Sequence, residues 1–149
     1  MADKEIVAAL RTFNRFYARV LGVFDQYALG TDYTLAQARI LVEIGRQEGC
    51  SANCIAIYLG MDRSYVARIL KGFEKNGLLV RKVSAADSRK KCLWLTDAGR
   101  EVYEVLEEKS NERVQQQVAG LSVAEQLRLQ KAVGEICTIL GEAKQYDKG

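Results

Sequence analysis

From residue 4 to about residue 28, apolar side chains return at steps of three and four. Phe13, Phe16, Tyr17, Val20, Leu21, Phe24, Tyr27 and Ala28 make one continuous stripe on a helix, with Arg11, Arg15 and Arg19 on another face. This stripe is long and aromatic for the surface of a small domain, so the helix either crosses its own domain or packs on a second subunit. Residues 30–33 form a turn. Thr34, with Gln37 three residues on, is a capping box opening a helix whose buried face is Leu35, Ala38, Ile40, Leu41 and Ile44. Residues 45–49 end that helix. Ser51 starts a short helix, SANCIAIYLG, with Ile55, Tyr58 and Leu59 pointing inward and Gly60 as its stop. Asp62 caps the next one, on which Val66, Ile69, Leu70 and Phe73 face the core until Asn76-Gly77.

The period then changes. Residues 78–83 alternate as a strand, residues 92–95 are the expected partner, and residues 84–91 are the tip between them. Thr96 caps a long polar helix from Asp97 to about Val118, in which EEKSNE and Gln115-Gln116-Gln117 read as a solvated face. Ser122 and Glu125 open a last helix that runs through Leu127, Val133, Ile136 and Leu140 to about Ala143. The fold class expected is mainly α, about six helices, with one small β-hairpin.

Composition removes several chemistries. The 149 residues, 48% of them hydrophobic, fit one compact domain or two small intimately packed units, with enough apolar material for a core. The N-terminal run is broken by Arg11, Asn14, Arg15 and Arg19, so it lacks the apolar stretch of a signal peptide, and a cytoplasmic location without membrane partners is expected. There is no histidine, which excludes His-based triads and most mixed Cys/His zinc sites. No Gly-rich phosphate loop and no carboxylate pair in an apolar setting appears either, so no enzyme, cofactor or metal is expected. Cys50, Cys54, Cys92 and Cys137 read as reduced, buried small hydrophobes, with a thiol redox switch as the weaker alternative.

Charge is concentrated rather than large. The net charge is +3, but residues 61–100 hold ten Lys/Arg against four Asp/Glu, while the rest hold twelve against fifteen. A basic patch on an otherwise acidic chain points to a polyanion partner. Two short helices joined at Leu59-Gly60-Met61 and followed at once by a hairpin is the layout of a winged helix-turn-helix. The second helix then presents Arg63, Ser64, Tyr65 and Arg68 at its N-terminal end. Arg63 and Arg68 suit guanine edges in a major groove, and Lys71 and Lys75 suit phosphates. Arg81, Lys90 and Lys91 add charge along the hairpin. Arg89 at the slim tip suits the narrow, strongly negative minor groove. Asp87 would be repelled by phosphate, so its expected work is to hold Arg89 or the turn. The alternative is a basic module that binds an acidic protein without specific DNA binding.

The stretch MDRSYVARILKGFEKNGLLVRKVSAADSRKKCLWLTDAG closely resembles the MarR family of bacterial transcriptional regulators. The Ser-Tyr-Val-Ala-Arg recognition helix, EKNGLLVRK, the D-x-R tip and the L-T-x-A-G that follows occur in the family's order. FNRFYARVLGVFDQYALGTDYTLAQARILVEIG is similar to the opening of a subgroup often fused to an acetyltransferase; 149 residues leave no room for that domain, so acetyl transfer is not expected. The resemblance implies a homodimer. Residues 4–30 and 119–145 would interlock as the helical dimerisation region, residues 34–100 would be the DNA-binding winged helix, and residues 97–118 the linking helix, within one chain of residues 1–149. It also implies a palindromic double-stranded operator and repression relieved by a small aromatic or anionic effector. Phe16, Tyr17, Val20, Tyr27 and Arg39 are the candidate effector contacts, against the alternative that they serve packing alone. Peroxide sensors of the family use a cysteine in the first helix and its zinc sensors use histidines; both are missing here.

Overall fold

The computed structural model describes residues 3–23 and 25–143. The order of elements is α1 (Lys4–Leu21), a 3-10 turn (Ala28–Gly30), α2 (Leu35–Arg46), α3 (Ala52–Leu59), α4 (Arg63–Lys75), β1 (Leu79–Val83), β2 (Lys91–Leu95), α5 (Asp97–Val118) and α6 (Val123–Ala143). The chain divides after residue 110 into two compact units.

The core of the first unit is where the periodicity put it. Ile40, Leu41 and Ile44 of α2 meet Ile55 and Ala56 of α3, Val66, Leu70 and Phe73 of α4, and Leu79 and Leu93 of the strands. Full burial of each large aliphatic contributes roughly 1.5–3 kcal/mol, so this cluster carries most of the unit's stability. Tyr33 meets Phe73 edge-on, with ring centroids 6.5 Å apart. The helices start where short side chains satisfy the free N–H groups. Thr34 Oγ1 accepts from Gln37 N at 3.2 Å while Gln37 Oε1 accepts from Thr34 N at 2.9 Å. Ser51 Oγ accepts from Cys54 N at 3.1 Å, and Asp62 Oδ2 from Tyr65 N at 3.0 Å.

β1 and β2 pair antiparallel with Arg81 opposite Leu93. A third segment joins them. Gly49 N donates to Leu93 O at 2.9 Å and Leu93 N to Cys50 O at 2.8 Å, and Ser51 bridges Cys92. These long-range pairs fasten the hairpin base to the start of α3. The first turn of α5 is fastened beside it. Thr96 N donates to Leu78 O at 3.1 Å, Thr96 Oγ1 donates to Gly77 O at 2.6 Å and accepts from Gly99 N at 3.0 Å. A Cβ on Gly99 would stand 2.1 Å from Leu78 O, so the approach requires a residue without one.

Three expectations change. The first helix stops at Leu21, not near residue 28, because Gly22 turns left-handed at φ 70° and its N–H closes on Ala18 O and Arg19 O. The apolar steps continue through the loop, which is why periodicity alone overran the end; Phe24 lies outside the described residues. Tyr58 points out rather than in, with 62% of its surface exposed, and Ala56 takes the inward place beside Ile55. The four cysteines are not uniformly buried: Cys50 and Cys92 are half-buried, and Cys54 and Cys137 are exposed. Cys54 shares the outer face of α3 with Ile57 and Tyr58, one helical step from the face that packs. Burial pushes the Cys50 thiol up to about 11, reinforced by nearby Glu43, Cys54 and Cys92.

α1 has no buried residue; Ile6, Val7, Phe16, Tyr17 and Leu21 are exposed, and Phe13 stacks on Tyr17 at 5.3 Å. In the second unit, Ser122 Oγ accepts from Glu125 N at 3.1 Å to start α6, and Leu127, Val133 and Leu140 are exposed with Ile136 half-buried. Leu121, Glu125, Arg128, Leu129 and Ala132 line an open groove of about 440 Å³ there. Residues 144 and 145 of the expected dimerisation region lie outside the described residues. Among the described residues, no helix is long and apolar enough to cross a membrane.

Candidate nucleic-acid interface

A tight left-handed turn sets the two short helices against each other. Gly60 takes φ 65°, its N–H reaching Ala56 O and Ile57 O, and Met61 N donates to Ala56 O at 2.9 Å. Asp62 then starts α4 at once. Because α4 buries Val66, Leu70 and Phe73, helical geometry turns Ser64, Arg68, Lys71 and Lys75 to the opposite side, and all four are exposed. Arg63 and Tyr65 are exposed in the first turn, with the Arg68 guanidinium 5.8 Å above the Tyr65 ring. The predicted polar end of this helix is therefore a single projecting face.

The hairpin beyond it is closed by local bonds. Ser84 N donates to Lys90 O at 2.8 Å and Lys90 N to Asp87 O at 3.0 Å. Ser84 Oγ accepts from Ala86 N at 3.2 Å. Asp87 Oδ1 accepts from Arg89 N at 3.0 Å and from Arg89 Nε at 3.3 Å. The sequence-based pairing of these two residues thus has its geometry. The carboxylate sits at the base of the turn, 31% exposed, while the Arg89 side chain projects with 90% exposure. Lys90 and Lys91 are exposed beside it.

Arg81 differs from the other candidates. Its Nε lies 3.0 Å from Glu74 Oε1, and its side chain is only 24% exposed. This pair straps the C-terminal half of α4 to β1. Its charge is answered within the fold by Glu74. Seven residues apart and separated by the Asn76-Gly77 turn, Glu74 and Arg81 gave the pattern no signal except opposite sign. Two further residues escaped the sequence reading. Trp94 lies opposite Val80, on the face turned from the core, with Lys82 Nζ 5.4 Å from its ring. Ser84, read only as a loop residue, caps the tip.

The candidate effector contacts are less organised. Phe16, Tyr17 and Tyr27 are exposed, Val20 is half-buried, and Arg39 is exposed on α2. Phe13 rather than Phe16 stacks with Tyr17.

Comparisons with known proteins agree with this geometry. Residues 31–90 match the MarR family model. The chain is similar to a protein of Thauera aromatica described as a putative transcriptional regulatory protein for the hcr operon, 29% identical over 119 residues. That match takes in 80% of this chain, which spans 66% of the relative's length. Streptococcus pneumoniae FabT, solved in complex with DNA, has the same fold with a TM-score of 0.77 at 19% identity, covering 95% of this chain and all of that one. Rhodococcus jostii RHA1 CouR, solved bound to p-coumaroyl-CoA, superposes with a TM-score of 0.67 at 21% identity, covering 84% of this chain and 88% of that one.

Proposed function

We propose that this chain, whose residues 31–90 match the MarR family model, is a dimeric MarR-type transcriptional regulator that binds double-stranded DNA. The observation that carries the reading is the pairing of one exposed cationic helix face with one exposed, internally braced arginine on the hairpin tip. Arg63, Ser64, Tyr65 and Arg68 enter the major groove, Lys71, Lys90 and Lys91 meet phosphates, and Arg89 enters the adjacent minor groove. Arg81 and Asp87 hold the frame. The DNA in the FabT complex and the regulator-like relative support a nucleic-acid partner.

Exposed apolar faces on α1 and α6 support a homodimer, since such a surface costs free energy in water. Two-fold symmetry then sets recognition helices about one DNA turn, roughly 34 Å, or a multiple of it apart, matched to a palindromic operator. The regulator acts as a repressor. A small aromatic or anionic effector, held by some of Phe16, Tyr17, Val20, Tyr27 and Arg39, changes that spacing. The ligand in CouR supports an effector of aromatic character.

The test is a fluorescence-anisotropy titration on fragments selected from genomic DNA. Arg89→Ala should cost about 1–3 kcal/mol in affinity and leave the dimer intact. Unchanged binding by this variant would remove the hairpin from the interface.

A further inference from the structure

Two side chains of α4 interact on the face turned away from the core. Tyr65 and Arg68 stand at i and i+3, so they are neighbours on the helix surface. Helical side chains lean toward the N-terminus, which carries Arg68 over the preceding turn and sets its guanidinium 5.8 Å from the centre of the Tyr65 ring. The ring is itself placed by the start of the helix. Asp62 Oδ2 accepts from Tyr65 N at 3.0 Å, and only 40% of the Tyr65 surface is exposed. No carboxylate on α4 competes for the arginine, because Ser64, Tyr65, Lys71 and Gly72 occupy the positions three and four residues away. Arg81 and Arg89 differ, since each donates its Nε to an acidic neighbour, Glu74 and Asp87. A guanidinium resting on an aromatic face is held by the ring while its N–H groups stay free to donate. Among the described residues, Arg63 has no such ring.

We infer that Tyr65 is a positioning residue whose ring presents the Arg68 guanidinium to the O6 and N7 acceptors of one guanine in the half-site. This rests on the DNA-binding reading above, and it makes the ring of Tyr65, not its hydroxyl, the part that counts. A planar fork meets two acceptors side by side only when its plane is controlled, and stacking on a ring controls it. Immobilising a free, rotamer-rich side chain on binding lowers affinity roughly two- to tenfold, and a stacked arginine has already lost part of that freedom. The preference for guanine then belongs to the two residues together. Losing either relaxes specificity at that one base pair, whereas losing a phosphate contact weakens binding to all sequences alike.

The full-length chain and a selected genomic fragment test this. Methylating guanine N7 before binding shows which guanines the wild type requires; the one whose methylation no longer matters to Arg68→Ala is the guanine read by Arg68. Replacing that G·C pair by A·T in one half-site gives each variant a guanine preference, the ratio of its two dissociation constants by fluorescence anisotropy. The wild-type ratio should be about five- to a hundredfold. Tyr65→Leu, which keeps an apolar side chain of good helix propensity, should lower the ratio by about two- to fivefold, and Tyr65→Phe should restore it. Added to Arg68→Ala, Tyr65→Leu should change affinity for the native fragment less than about twofold, because nothing is left to position. Both duplexes are titrated with one preparation, so a partly inactive variant still reports its ratio. A Phe variant that behaves like the Leu variant would overturn the inference, since the hydroxyl would then do the reading. An undiminished ratio in Tyr65→Leu, or an equal loss with and without Arg68, would overturn it too. So would the lack of any guanine that depends on Arg68 in a fragment the wild type binds. A wild type that binds no duplex would instead overturn the DNA-binding reading beneath it.

Discussion

The same substitution should act with opposite sign at two glycines of the first unit. At Gly99, an added Cβ would lie 2.1 Å from Leu78 O and 3.2 Å from Leu95 Cδ2. The obstacle is a backbone carbonyl, so no side chain can swing aside. Driving the first turn of α5 away costs about 1–3 kcal/mol by the measure of overpacked cores. The same shift stretches the Thr96 N to Leu78 O bond, now 3.1 Å, at a further cost of about 0.5–1.5 kcal/mol. Against this, alanine gains at most about 1 kcal/mol over glycine in a helix. The balance for Gly99→Ala is a loss of about 2 kcal/mol, or roughly 4–8 °C in Tm for a chain of this size. Gly72, in α4, has nothing within 4 Å of its would-be Cβ. There the propensity gain stands alone, and Gly72→Ala should raise Tm by roughly 2–4 °C. Thermal melts followed by circular dichroism at fixed protein concentration decide it. A Gly99→Ala protein as stable as the wild type would refute the close approach, and with it the account of why α5 begins where it does.

Other consequences are quicker to check. Asp87→Ala frees Arg89 to move, and re-ordering one such side chain on binding costs about 0.5–1.5 kcal/mol. Operator affinity should therefore fall several-fold in moderate salt, and equal affinity there would remove the positioning role of Asp87. Ile55→Ala should cost about 2–5 kcal/mol and Tyr58→Ala within about 0.5 kcal/mol, as urea midpoints would show; comparable losses would put Tyr58 back in the core. Cys50 gives a pH effect. Its thiol is raised from 9.0 to about 11, so the folded state holds the proton longer than the unfolded one. The stability it contributes is complete below pH 9.0 and is lost as pH rises to about 11. Melts of wild type and Cys50→Ala should converge across that window, and parallel curves would contradict the burial argument.

How far the sequence reached depended on the range of the interaction. The Thr34–Gln37 box, the Asp62 cap and the Asp87–Arg89 bond all lie within four residues, and each was legible because short side chains at fixed offsets leave few alternatives. α3 was not legible in its facing. Seven of its eight residues, ANCIAIYL, are apolar, so a shift of one helical step exchanges Ala56 for Tyr58 without breaking the pattern. Gly22 carried the signal that ends α1, but aromatic steps on either side of it masked the stop. The bridge from Ser51 to Cys92 and the Glu74–Arg81 strap join distant or reversed segments, and nothing in a linear pattern encodes them. Residue type alone selected Arg81 as an outward cation; its pairing with Glu74 across the turn was not in the pattern.

The central reading is that α4 and the hairpin tip grip one duplex through both grooves, twice over. Footprinting on a selected genomic fragment tests it most directly, with dimethyl sulfate probing guanine N7 in the major groove and hydroxyl radicals probing the backbone. The expected pattern is two protected major-groove patches about one helical turn apart, each flanked by minor-groove protection that disappears in Arg89→Ala. Uniform reactivity on every fragment in low salt, or a single unflanked patch that the variant leaves unchanged, would contradict it.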